Sequence, residues 1–220
     1  MIDAGAPIFV LAPHPRSGTN LLWHLLSAHP AIDRSPVPED YIAVQAHQLV
    51  EYAENLVSRW ERFFASERLD RAEYRPDELL AEFGQGLINF VGPPKADRHL
   101  LMKMPTTVGL PDLQRLFPTG RMLILLRDPR SIAESWTHAS FGYGSSLEDV
   151  GYRWATRMRA LENWLDPEEP VLDRDRLHFV RFEQLAHDPA GEYERLLEAL
   201  SLPLDPEAIA YAASMLPVHH

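Results

Sequence analysis

Arg16, Ser17 and Gly18 stand in a polar turn, Pro13 to Gly18, between two apolar segments. Ile8 to Ala12 is an apolar run of strand length. From Thr19 to Ala28, Leu21, Leu22, Leu25 and Leu26 recur at helical spacing. A strand, a tight turn and a helix opening at Thr19 make an anion site. The unpaired amides of a helix start point at the turn, and the macrodipole adds about half a positive charge there. Arg16 brings a fixed cation whose fork suits phosphate or sulfate. The pattern comes a second time. The apolar run Arg121–Leu126 leads into Arg127-Asp128-Pro129-Arg130-Ser131, and Pro129 suits the first turn of a helix running through Trp136. Ser135 lies eight residues beyond Arg127, so both reach one anion only if the turn folds the strand end back onto the helix. Each motif alone has a plain explanation: an exposed arginine on an ordinary strand–turn–helix, or Arg127 paired with Asp128. Two such sites at two strand ends are harder to dismiss.

These residues need a frame that brings strand ends together. His99–Met104, ending in Lys103, and Leu177–Arg181 read as further strands, with helices at 110–117, 147–165, 193–200 and 206–215. Asp33 to Tyr41 reads as a turn-rich connection. Strands separated by helices imply an α/β fold: a single domain over 1–220, with a central parallel sheet covered by helices on both faces. Ligands in such sheets sit beyond the carboxyl ends of the strands, where the polar motifs lie. Helices from Ala43 to Phe64 and from Pro76 to Phe90 form a helical insertion, about 40–92, after the first βα unit.

Composition narrows the chemistry. The formal charge of −11 argues against general affinity for nucleic acid. Lysine occurs only at Lys95 and Lys103, and cysteine not at all, which excludes disulfides, thiolate metal sites and cysteine nucleophiles. No apolar run approaches the roughly 20 residues that span a bilayer, and no basic segment precedes the first one. The expectation is a cytoplasmic protein without membrane partners.

PRSGTNLL at 15–22 and LLRDPRSIAESW at 125–136 together resemble the 5′-phosphosulfate loop and 3′-phosphate motif of the PAPS-dependent sulfotransferases. Lys103 in LLMKMP resembles the lysine these enzymes keep at the end of an intervening strand, and VRFEQLAHDP at 180–189 resembles a further family segment. The four occur in the family's order. The resemblance implies a P-loop-NTPase-like fold and transfer of a sulfuryl group from PAPS (3′-phosphoadenosine 5′-phosphosulfate) to an acceptor hydroxyl, leaving PAP. It implies that Arg16, Ser17, Gly18, Thr19 and Asn20 hold the 5′-phosphosulfate. Arg127 and Ser135 would hold the 3′-phosphate with Arg130 assisting, and Phe182 would lie near the adenine in place of a tyrosine. Lys103 and Arg16 would stabilise charge on the leaving oxygen. Such a loose, in-line transfer asks for positioning and fixed positive charge. A sulfuryl group needs no Mg²⁺ clamp, so no metal is expected; His24 and His29 are poorly spaced to share one.

The acceptor hydroxyl needs a general base. Phenol and steroid sulfotransferases use a histidine two residues after the strand-end lysine, but Pro105 stands there. Carbohydrate and tyrosylprotein sulfotransferases use a glutamate after the first helix, and Glu39 in SPVPEDY occupies a similar place. Buried in a pocket, Glu39 would have the raised pKa of a base; His47 and His138 are lesser candidates. Asn20 replaces a family threonine or serine. The Gly/Lys/Arg-rich segment that many members fold over the 3′-phosphate does not occur before His220, so the expectation is a minimal nucleotide site or a chain cut short of it. Net acidity favours a neutral or cationic small-molecule acceptor, with Trp136, His138 and Tyr143 as candidate lining residues. Two other readings stay open. A P-loop kinase or NTPase would want Gly at 13 and Lys at 19, where Pro13 and Thr19 stand. A nucleotide-binding module without catalysis would leave Lys103 and Arg16 unexplained.

Overall fold

The computed structural model describes residues 5–63, 75–137 and 146–215. They form two compact units: 1–40, 94–107 and 119–220 make the first, and 41–93 with 108–118 the second.

The first unit is built on five parallel strands: β1 (Ile8–Leu11), β2 (Ile32–Arg34), β3 (His99–Met104), β4 (Arg121–Leu126) and β5 (Leu177–Arg181). Their order across the sheet is β2-β3-β1-β4-β5. The fold is α/β with a central parallel sheet, as the alternation of strand and helix patterns implies. The three central strands, β3, β1 and β4, are apolar almost throughout because both of their faces are buried. On one face Ile8, Val10, Leu101, Leu123 and Leu125 join Leu22, Leu25 and Leu26 of α1 (Thr19–Leu26). Leu185 of α7 (Phe182–His187), Tyr193, Leu196 and Leu197 of α8 (Pro189–Ala199), and Ala208 and Ala212 of α9 (Pro206–Met215) complete that core. The alternate set, Phe9, Leu11, Met102, Met104, Met122 and Ile124, is equally inaccessible.

Two elements of this unit were not expected from the sequence, and α8 starts at Pro189, four residues before the expected 193. Asp33 and Arg34, read as part of a connection, lie in the edge strand β2. Ile32 is its one apolar residue, so periodicity is silent. The strand is held by its register with β3, Ile32 opposite His99, and by Asp33, which accepts the amide of Lys95 at 2.7 Å and pairs with Arg98 at 2.9 Å. The helix α7 opens directly on the last residue of β5 with no side-chain cap, leaving no boundary signal to read. Two further helices complete the unit, α5 (Pro129–Thr137) and α6 (Leu147–Trp164). The latter starts with a reciprocal capping box between Ser146 and Asp149.

The second unit is all helix: α2 (Ile42–Phe63), α3 (Pro76–Val91) and α4 (Leu110–Leu116). Arg115 of α4 bridges Glu54 of α2 and Asp77 of α3, each at 2.8 Å. Gly84 of α3 packs against the Leu116 carbonyl, where any Cβ would lie 2.0 Å from the oxygen. Thus α4, which comes after a sheet strand in sequence, belongs by packing with the two inserted helices. Among the described residues no helix is long and apolar enough to cross a membrane.

Candidate active site

Two of the sheet's central strands carry the anion-type motifs, and they are hydrogen-bonded neighbours: Ile8 of β1 lies opposite Arg121 of β4, and the pairing continues to Leu11 and Ile124. On the other side of β1, Val10 pairs with Lys103 of β3. Parallel pairing puts the three carboxyl ends, with the loops that leave them, at one sheet edge.

The loop after β1 takes its shape from two left-handed residues, Arg16 at φ 71° and Gly18 at φ 101°. For a glycine this conformation carries no penalty; for an arginine it costs about 1–3 kcal/mol. Ser17 closes the turn by donating to the His14 carbonyl at 2.7 Å. Gly18 is the N-cap of α1 and no side chain caps that helix, so the first amides of α1 are open to an anion.

Arg127 and Ser135 are brought together through Arg16. Arg16 Nε donates to Ser135 Oγ at 3.1 Å, and Arg127 donates to the Arg16 carbonyl at 2.9 Å. The Arg127 guanidinium lies over the Phe182 ring, 4.2 Å from its centroid. Phe182 in turn packs against Gly18, where a Cβ would come within 2.5 Å of the ring. The Arg127 Nε is buried with no hydrogen-bond partner. An unsatisfied buried N–H on a cation costs stability unless a ligand accepts from it.

A second cluster surrounds Lys103, which is 4% exposed. Its ammonium donates to Asn20 Oδ1 and, at 2.9 Å, to Glu39 Oε1. The Glu39 side chain is 36% exposed, so the carboxylate is ion-paired at the rim and not enclosed in a pocket.

Not every expected residue joins these clusters. Arg130 is exposed and its guanidinium folds back on Asp128 at 2.5 Å. That bond holds the Asp128 carboxyl down at about 2. The start of α5 is capped by carboxylates of the same chain: Asp128 accepts the Arg130 amide and Glu183 accepts the Asp128 amide, both at 2.8 Å. So the segment after β4 contributes Arg127, and α5 contributes Ser135, to the site of the first loop, and neither offers a second open helix start. His47 lies in the helical unit, exposed on α2, with its ring nitrogen against the Val44 carbonyl at 3.1 Å. His138 and Tyr143 lie outside the described residues.

The sequence reading missed His14 and Arg157. His14 is 2% exposed, donates from Nδ1 to the Pro15 carbonyl at 2.7 Å, and meets Trp136 edge-on with ring centroids 5.3 Å apart. Burial, with the charges of Arg157 and Arg153, pushes its pKa below the ordinary value. Arg157 of α6 donates to the Pro13 carbonyl at 2.7 Å. One signal was available: Arg157 falls on the stripe Val150, Trp154, Leu161, an arginine where an apolar residue belongs.

A family model described as the sulfotransferase family matches residues 7–206. The chain belongs to this family. Among curated proteins it is 29% identical to nodulation protein NoeE of Sinorhizobium fredii over 218 residues, 90% of this chain and 50% of that protein. It is 24% identical to protein-tyrosine sulfotransferase A of Caenorhabditis elegans, over 93% of this chain and 52% of that one. The chain thus spans about half the length of the curated relatives it matches. The sulfotransferase domain from the curacin biosynthetic pathway shares its fold, with a TM-score of 0.59, 23% identity, and coverage of 93% of this chain and 76% of that one. Mouse sulfotransferase SULT7A1 complexed with PAP does so with a TM-score of 0.52 and 10% identity, covering 94% and 62%.

Proposed function

We propose that this sulfotransferase-family chain transfers a sulfuryl group from PAPS to the hydroxyl of a small-molecule acceptor, with no metal. One observation supports the donor most directly: the buried Arg127 Nε without a partner, held by Arg16 and Phe182 beside a helix start that no side chain caps. These groups fit a ligand with two separate anionic ends. The Gly18, Thr19 and Asn20 amides with Arg16 would hold the 5′-phosphosulfate, and Arg127 with Ser135 the 3′-phosphate. Arg130 stands ready to assist only if it leaves Asp128. Phe182, whose face carries Arg127, acts first as the platform of that arginine and offers its edge to the adenine.

The donor supplies a sulfuryl group whose S–O bond to phosphate breaks as a bond to the acceptor oxygen forms, releasing PAP. Lys103 sets a buried ammonium where leaving-oxygen charge grows, and Asn20 and Glu39 fix its direction. Glu39 takes the acceptor proton, and its partial exposure leaves room for the acceptor to approach. We also read residues 1–220 as a single domain, with about 40–92 as its insertion, of a cytoplasmic transferase.

The test is thermal stability with PAP, ADP and ATP titrated separately. A ligand selective for the folded state adds about 2.7 kcal/mol at a hundredfold excess over Kd. PAP should stabilise well beyond ADP, and the preference should vanish in Arg127→Ala. Equal shifts with all three would overturn the donor. With labelled PAPS and an acceptor found by screening, Lys103→Ala should slow transfer by about 10²–10³ while PAP still binds.

A further inference from the structure

Two arginines that the donor reading does not use stand on α6, which meets the start of the loop after β1 through Arg157. Arg153 and Arg157 are one turn apart on α6, on the same helix face. Arg157 donates to the Pro13 carbonyl at 2.7 Å and so lies against the start of the loop after β1, with Arg153 one turn before it on the helix. Neither has a carboxylate partner among the described residues. The acid one turn before Arg153, Asp149, is occupied by the Ser146 amide in the helix cap. Burial and the like charge of Arg153 push the Arg157 pKa down. Like charges four residues apart on a helix repel each other, and with one of the pair half-buried an anion that joins them would relieve the repulsion.

We propose that Arg153 and Arg157 form an anion subsite for the acceptor, so that the acceptor is a hydroxyl compound bearing a carboxylate or sulfate group. The proposal rests on the sulfuryl-transfer reading and gives its acceptor a charge. The donor's own charges are matched by the α1 amides, Arg16, Arg127 and Lys103, so this pair is free for the second substrate. Arg157 is anchored to Pro13 and fixes the subsite against the loop; Arg153 is exposed and meets the incoming group. Net charge pointed to a neutral or cationic acceptor, but net charge does not set the charge of a pocket, and these two arginines are local cations in an acidic chain.

The experiment has two arms, run on protein saturated with PAP or supplied with labelled PAPS. In the first, inorganic sulfate is titrated onto the PAP complex by calorimetry. Binding should weaken about tenfold in Arg153→Ala, the loss of one charge-assisted contact, and recover in Arg153→Lys. In the second, 4-hydroxyphenylacetate and 4-hydroxyphenethyl alcohol compete as acceptors, and the acid should lead by about tenfold, the lead disappearing in Arg153→Ala. Sulfate binding insensitive to Arg153, or a lead for the alcohol, overturns the proposal; if neither phenol is turned over, the sulfate titration decides. Weakened PAP binding in Arg153→Ala assigns the pair to the donor and also overturns it. Failure of the unaltered protein to bind PAP is a different result, since it removes the donor reading beneath. Arg153 is exposed, so its loss leaves the fold intact; Arg157→Lys then tests whether the half-buried anchor acts through the same subsite.

Discussion

The loops after β1 and β4 read alike in sequence: an apolar strand, an arginine, a helix start. In space they do opposite things. The first loop leaves the amides of α1 open and shapes itself through left-handed backbone at Arg16 and Gly18. The second closes its own helix start with Asp128 and Glu183, neutralises Arg130 with Asp128, and sends only Arg127 and Ser135 across to the first. A helix start attracts an anion only while its amides are unsatisfied. What separates the two loops is therefore not the motif but whether a carboxylate of the same chain already sits there.

This contrast can be broken at its strongest point with Gly18→Ala. The added Cβ would meet the Phe182 ring at 2.5 Å in a backbone conformation unfavourable to side chains. A stability loss of about 1–3 kcal/mol is expected in denaturant titration, together with loss of PAP binding; a normal melt and normal PAP affinity would mean the left-handed turn is not what holds the site. Next in size is Arg127→Ala, which should weaken PAP by about tenfold or more, read by calorimetry. Phe182→Ala removes the platform under that arginine and should cost about 0.5–1 kcal/mol of PAP affinity, whereas Phe182→Tyr should be neutral. Arg130→Ala sharpens the comparison from the other side. An exposed arginine already neutralised by its neighbour contributes little, and PAP affinity should stay within about twofold. A large loss there would mean that the Asp128–Arg130 pair opens for the ligand.

The smallest effect is on pH. The His14 pKa is lowered by burial and by Arg157 and Arg153, and that of His178 by burial and Arg121. Between the lowered folded values and the ordinary value near 6.5, the unfolded chain binds more protons, so stability rises with pH through that window and is reduced below it. Melting temperature should therefore fall from pH 7 to pH 5, and His14→Gln should flatten part of that slope. An unchanged slope would mean that His14 is accessible to protons in the folded chain.

How much of this was legible differs by element. Strands β1, β3 and β4 were readable because a strand buried on both faces must be apolar almost throughout, and the edge strand β5 was readable as a short run rich in strand-forming residues. The helices α2, α3, α6 and α9 were readable from periodicity, caps and proline. The edge strand β2 was not, because one apolar residue sets no period and its pairing with β3 comes from a segment more than sixty residues away. Arg157 escaped for a related reason: nothing local says that α6 packs its arginine against the Pro13 carbonyl. Glu39 was legible as a candidate base, yet its exposure, which bears on any such role, is a property of surroundings no motif encodes.

The sequence alone determined the α/β alternation, the strands that carry Arg16, Lys103 and Arg127, and the family, because apolar runs and motif spacing are local quantities. Only the tertiary structure decided that Arg16 links Ser135 to Arg127, that Asp128 takes Arg130 out of play, and that α6 sets Arg157 against the Pro13 carbonyl. Those outcomes depend on which charged groups end within hydrogen-bonding reach of one another after the strands pair, and Coulombic and hydrogen-bond energies change with ångström distances that sequence separation does not fix.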